Sequence, residues 1–191
     1  MNSNRFIVLV ISLFLFSCNR NEEKLNIPKE KKLQPGVAIT FDDGYLDNLE
    51  NAFPILEKHQ AKATIYVVVD RHDRDWSTYK KAHHNSGELA REPKLNDEQV
   101  QFLANSGLVE IGSHTLTHAN LDKLNDEECL HELVDSKTQL EQLTQKSVNS
   151  FAYPFGIYSE RDVRLAEQAG YSNAVTTQEG IDGKMRSEER R

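Results

Sequence analysis

Two adjacent carboxylates, Asp42-Asp43, and two histidines four positions apart, His114 and His118, are the residues of this chain whose types and spacing can do chemistry. Neighbouring aspartates repel one another, so the pair makes most sense where a cation, or a division of roles around a proton, offsets the repulsion. Histidines at i and i+4 share one face of a helical turn, and such a turn over His114–His118 would let both imidazoles reach one ion. Two His and one carboxylate are a common ligand set for a catalytic zinc or similar divalent ion that keeps positions open to water. Ligation by one Asp would leave the other free as a base. The alternative for Asp42-Asp43-Gly44 is a turn closing a hairpin, but a helix-type pattern follows it and not a second strand.

The elements that must position these groups alternate. Val37, Ala38, Ile39 and Phe41 form a short apolar strand ending at the two aspartates. Asp47 and Glu50 then stand at capping-box spacing, and Leu49, Ala52, Phe53 and Leu56 recur at helical spacing, with Pro54 either kinking this helix or marking its true start. Ala63–Val69 is a continuous β-branched run, the pattern of a strand buried on both faces, and it ends at Asp70. Asn96 with Gln99, Val100 and Leu103 before Gly107 predicts a short helix, and Val109–Ser113 a strand running into His114. Asn125 with Glu128 opens a long helix through Leu130, Leu133, Val134 and Leu140. Ser150–Tyr153 is strand-like, Ser159–Gly170 a helix with Val163, Ala166 and Ala169 inward, and Asn173–Thr176 a final strand.

This alternation argues for an α/β fold with a parallel sheet and crossover helices; a doubly wound sheet and a barrel both fit the pattern. In either, catalytic groups collect where strands end, and three strands end in Asp42-Asp43, in His114 and in Pro154-Phe155. Between 71 and 94 periodicity disappears. That stretch carries Trp76, Tyr79, His83 and His84, and reads either as a substrate-contacting insertion or as a solvated excursion.

The 191 residues suit one ordinary domain, and a net charge of -7 without a basic stripe argues against a nucleic-acid partner. Residues 1–17 read as a secretion signal, with Arg5 followed by an apolar stretch from Phe6 to Phe16 that is too short to span a bilayer. Leu15-Phe16-Ser17-Cys18 resembles a bacterial lipoprotein signal, which makes Cys18 the lipidated first residue; an ordinary signal peptide is the alternative. The polar stretch 18–35 would then be a tether holding the domain off a membrane through acyl chains, on the outer membrane or periplasmic face of a bacterial envelope. With Cys18 acylated, Cys129 has no disulfide partner and is expected to be a small buried apolar residue.

Thr40-Phe41-Asp42-Asp43-Gly44, Ser113-His114-Thr115-Leu116-Thr117-His118 and Phe151-Ala152-Tyr153-Pro154-Phe155-Gly156, in this order and spacing, resemble the first three motifs of the polysaccharide deacetylase (NodB-homology) family of carbohydrate esterases. The resemblance runs from about Val37 to Thr177 within a domain bounded at 36–185. It implies a distorted, incomplete (β/α) barrel with its site at the C-terminal strand ends and its last strands missing. It also implies Asp43, His114 and His118 as ligands of one divalent metal, zinc or else Co, Ni or Mn. Asp42 would be the general base, the backbone N–H of Phe155 the oxyanion donor, and Tyr45, Tyr153 and Pro154 substrate contacts. The implied activity is hydrolysis of a carbon–nitrogen bond other than a peptide bond: removal of N-acetyl groups from an acetylated polysaccharide such as poly-N-acetylglucosamine, a chitin-like glycan or peptidoglycan. O-acetyl removal and catalytically inactive glycan binding are the alternatives.

Two departures accompany the resemblance. Ala152 and Phe155 stand where many members carry an arginine that supports the base and a tyrosine. The later family motifs, including a histidine acting as general acid, are not found, and no histidine follows His131. The closing Arg186-Ser187-Glu188-Glu189-Arg190-Arg191 can be encoded by AGATCGGAAGAGCGTCGT, a common sequencing-adapter read. Residues 186–191 are therefore expected to be a non-native tail on a truncated chain.

Overall fold

The structure, a computed structural model, describes residues 37–71 and 93–177. The signal and tether (1–35) with Cys18, the residues Trp76, Tyr79, His83 and His84, and the tail 186–191 lie outside the described residues.

Five strands, β1 (Ile39–Phe41), β2 (Ala63–Val67), β3 (Val109–Ser113), β4 (Ser150–Ala152) and β5 (Asn173–Val175), pair in sequence order, and every pairing is parallel. Parallel neighbours need crossover connections. These carry α1 (Phe53–His59), α2 (Asp97–Asn105), α3 (Asp126–Thr144) and α4 (Glu160–Gln168). A doubly wound sheet would reverse its strand order at a switch point. Here the order never reverses, so the fold is an incomplete (β/α) barrel.

Burial follows the strand patterns closely. Ala63, Ile65, Tyr66, Val67 and Val68 are all buried, so β2 is covered on both faces as its continuous apolar run requires. Ile111 and Phe151 extend this core across the sheet, where Val100 and Leu103 of α2 and Cys129, Leu133 and Leu140 of α3 pack against it. A β-carbon at Gly112 would lie 2.4 Å from the Tyr66 ring, so only glycine lets that ring lie across β3. Cys129 is buried as expected.

The helix starts at Asn96 and Asn125 are capping boxes, with each Asn side chain accepting from the N–H three residues on. The box expected at Asp47 does not form. Asp47 is itself helical and makes no cap bond, and the chain runs through a π-helical turn, Asn48–Ala52, before α1. Pro54 explains the difference. It has no N–H to give and its ring crowds the carbonyl four residues back, so a wide turn, in which Phe53 N–H reaches Asn48 O, precedes the proline. Two apolar residues also face differently from expectation. Val134 and Val163 are exposed, and the inward stripe of α4 is Asp162, Leu165, Ala166 and Ala169. A buried carboxylate at the first of those positions hides the stripe from a count of apolar residues.

Candidate metal centre

Three strand ends converge. After Phe41 the chain turns at Asp43 (φ 69°) and Gly44 (φ 66°), both left-handed. After Ser113 it turns at Thr115 (φ 68°) and His118 (φ 58°). The helical turn expected over His114–His118 is therefore absent: two left-handed residues would break any α-helix, and they bring the imidazoles together from a loop. Their ring centroids stand 4.7 Å apart at 71°. The loop is held to the extension of β2, with Val69 N–H donating to Thr115 O and Asp70 N–H to Leu116 O.

Asp43 Oδ1 lies 3.5 Å from His114 Nε2 and 3.4 Å from His118 Nε2, and the three ligand atoms fall within 4.8 Å of one another. Two donors bound tetrahedrally at about 2.0–2.1 Å from a zinc ion stand about 3.3–3.4 Å apart, so these spacings suit an ion between them. The tautomer points the same way. His114 Nδ1 meets the Ala152 carbonyl at 2.9 Å, and a carbonyl only accepts, so Nδ1 carries the proton and a neutral ring turns the Nε2 lone pair toward Asp43. The buried Oδ1 of Asp43 has no hydrogen-bond partner. Lone pairs gathered around an unsatisfied carboxylate oxygen make a cation-binding arrangement, and the residues present fit a divalent ion.

Asp42 stands beside this cluster with an exposed edge. Desolvation of its carboxyl raises its pKa, and neighbouring Asp43 adds to the rise. No hydrogen-bond donor is seen to reach the Asp42 side chain among the described residues. Phe155 is brought against His118, its ring centroid 4.7 Å from the imidazole, by a left-handed backbone at φ 61° followed by Gly156 at φ 67°. Tyr153 and Pro154 are buried, Tyr153 between Phe151 and Tyr158. Expected as substrate contacts, both present little side-chain surface, because Pro154 follows a core strand and Tyr153 completes its packing.

Tyr45 is half-buried at the rim. Pro93–Leu95 runs antiparallel to Gly44–Leu46 through Leu46 N–H to Pro93 O (2.8 Å) and Leu95 N–H to Gly44 O (2.9 Å). This places Lys94 Nζ 3.2 Å from the Tyr45 ring centroid. Burial pushes the Lys94 amine down to about 8 against the opposing pull of Asp43 and Asp47. The ribbon is pinned by buried Arg71, which donates to Leu95 O at 2.6 Å and Val69 O at 3.1 Å and pairs with Asp97. Glu132 of α3 accepts from Thr117 N–H at 2.8 Å and from the Thr117 hydroxyl at 2.5 Å. Lys94, Arg71 and Glu132 carry no local signal in the sequence, because their contacts lie far along the chain.

Comparison with known proteins adds to this geometry. The polysaccharide deacetylase family profile matches residues 29–174. YxkH of Bacillus subtilis is 33% identical over 160 residues, covering 83% of this chain and 51% of the relative. A protein of Bacillus cereus named peptidoglycan-N-acetylglucosamine deacetylase is 28% identical, covering 78% of this chain and 46% of its own. The structure of Streptococcus pyogenes deacetylase PplD in complex with acetate superposes with a TM-score of 0.65 at 26% identity, covering 81% of this chain and 62% of that one. The chain thus spans about half the length of the curated relatives it matches.

Proposed function

The chain belongs to the polysaccharide deacetylase family, and from that premise we propose that it is a metal-dependent hydrolase removing N-acetyl groups from an envelope or extracellular polysaccharide. The observation that carries this reading is Asp43 Oδ1 held 3.4 and 3.5 Å from two imidazole nitrogens, with a second, unligated aspartate next to it. Asp43, His114 and His118 would hold one divalent ion, with zinc the first choice for two imidazoles and a carboxylate. Such an ion supplies Lewis-acid polarisation of a carbonyl and acidification of water at neutral pH.

The chain's own groups divide the remaining work. Asp42 would take the proton of the attacking water as general base. The backbone N–H of Phe155, beside His118, would donate to the oxyanion that forms on the acetyl carbon. As the carbon–nitrogen bond breaks, Asp42 would return that proton to the leaving nitrogen, so that acetate leaves and the sugar keeps a protonated amine. The name of the Bacillus cereus relative favours an N-acetylglucosamine-containing glycan, and peptidoglycan, poly-N-acetylglucosamine and chitin-like chains share that group. An acylated Cys18 would keep this activity at the envelope surface.

The test is acetate release from N-acetylglucosamine oligosaccharides of each linkage by the full chain. Activity abolished by a chelator, restored by Zn2+ and lost in Asp42→Asn supports the reading. Release that survives both treatments, or occurs only from O-acetylated sugars, rejects it.

A further inference from the structure

We infer that Glu132 is a positioning residue of the metal centre, fixing the turn between His114 and His118 and placing a negative charge behind it. The inference rests on the metal-binding reading above. Glu132 lies on α3, 15 positions beyond Thr117, and is only 6% exposed. Its two carboxylate oxygens take both donors of Thr117, the N–H at 2.8 Å and the hydroxyl at 2.5 Å. Thr117 precedes His118, whose left-handed φ of 58° aims its imidazole at Asp43. Tying down both donors fixes the Leu116–Thr117 peptide and the Thr117 side chain, so the backbone that leads into His118 is held from α3.

A second contact from the same helix face supports the assignment. One turn along α3, Ser136 lies 2.9 Å from Ser113 Oγ, and Ser113 Oγ accepts from Thr115 N–H at 3.1 Å. Ser136 in turn donates to Leu133 O at 3.0 Å. Thus Glu132 and Ser136, at i and i+4, grip the loop at Thr117 and Ser113, on either side of the left-handed Thr115. All of these side chains except that of Thr117 belong to buried residues.

The charge matters as well as the hydrogen bonds. Among the described residues no lysine, arginine or histidine pairs with Glu132. A buried carboxylate without a cationic partner is costly unless a positive charge sits near it. A divalent ion held by His118 is such a charge, and the carboxylate would strengthen its binding through the intervening Thr117. A merely structural glutamate predicts no such dependence of metal affinity on the charge.

The decisive experiment compares Zn2+ affinity, by competition with a chromophoric chelator, in the full chain and in Glu132→Gln, which keeps the size of the side chain and one acceptor. Apo-protein thermal unfolding is measured alongside. We expect wild-type unfolding with Zn2+ binding weakened roughly 10–100-fold, the usual effect of removing an outer partner of a metal ligand. Thr117→Val, which removes only the hydroxyl donor, should weaken binding less, and Glu132→Gln added to it should cost less than in the wild type. Glu132→Gln binding Zn2+ as tightly as wild type overturns the inference and leaves the metal reading standing. A variant whose apo form unfolds earlier but whose affinity, measured well below its transition, is unchanged overturns it too, leaving a purely structural glutamate. A wild-type chain that binds no Zn2+, Co2+, Ni2+ or Mn2+ overturns both.

Discussion

The Nδ1–H of His114 donates to the carbonyl of Ala152 at 2.9 Å, so the end of one strand decides which nitrogen of a ligand on the neighbouring strand faces Asp43. Since a backbone carbonyl supplies the bond, no side-chain change at 152 removes it. The aim of His114 is therefore independent of which side chain stands at 152.

Binding to the folded state only, Zn2+ at about 100 times its dissociation constant should stabilise the chain by about 2.7 kcal/mol. Chemical denaturation with and without chelator measures this. Asp43→Ala should remove the increment, and an unchanged increment in that variant would exclude Asp43 as a ligand.

Asp42→Asn should lower the rate of acetate release by about 10²–10⁴-fold, the range of a general base, while leaving Zn2+ affinity close to wild type. Both are read on one preparation, by an acetate assay and a chelator competition. Loss of metal binding in this variant would exchange the roles assigned to the two aspartates.

Arg71→Ala leaves the carbonyl of Leu95 without its buried donor, while that of Val69 keeps the backbone N–H of residue 71. A cost of about 1–3 kcal/mol is expected in urea unfolding, with Asp97, largely exposed, adding little. Removing Asp97 alone should then cost much less than removing Arg71, and equal costs would place the energy in the ion pair instead.

Cys129 should resist modification. Burial first, then the neighbouring Asp162, pushes its thiol up to about 11, so the reactive thiolate is scarce until the pH approaches that value. In a chain carrying Cys18→Ser, Ellman's reagent at pH 8 should react only at the rate of unfolding. The sign also fixes stability: with the folded pKa raised, this group's favourable contribution is full below the unfolded thiol pKa and is lost as the pH rises through about 11. Rapid labelling at pH 8 in native buffer would contradict this burial.

Local signals in the sequence transferred well to the structure where the physics is local. The β-branched run of β2 and the Asn caps at 96 and 125 depend on neighbours within a few residues; both caps form as expected, and the strand forms but ends at Val67, two residues short of the run. Barrel and doubly wound sheet stayed indistinguishable because strand order depends on pairing across long separations. His114 and His118 were rightly matched, yet for the wrong reason. A spacing of four implies a shared face only if the intervening residues are right-handed, and nothing marks a β-branched Thr115 as left-handed. Tyr153 and Pro154 are buried although they adjoin the site in the sequence, because residues that end a core strand can be turned inward.

Among the described residues, six non-glycine residues have positive φ, and Gln60 and Gln145 are ordinary helix C-caps. The other four, Asp43, Thr115, His118 and Phe155, all surround the proposed metal position. Each such conformation costs about 1–2 kcal/mol in an L-residue. Conformational strain is therefore concentrated where three strand ends meet, and the packed scaffold must over-determine it. Thr115→Gly should relieve part of that strain, offset by the loss of a fully buried side chain, while widening the spread of imidazole directions. Backbone relaxation and preorganisation are thus opposed at this one loop, and a relaxed variant is the place to look for weakened chemistry.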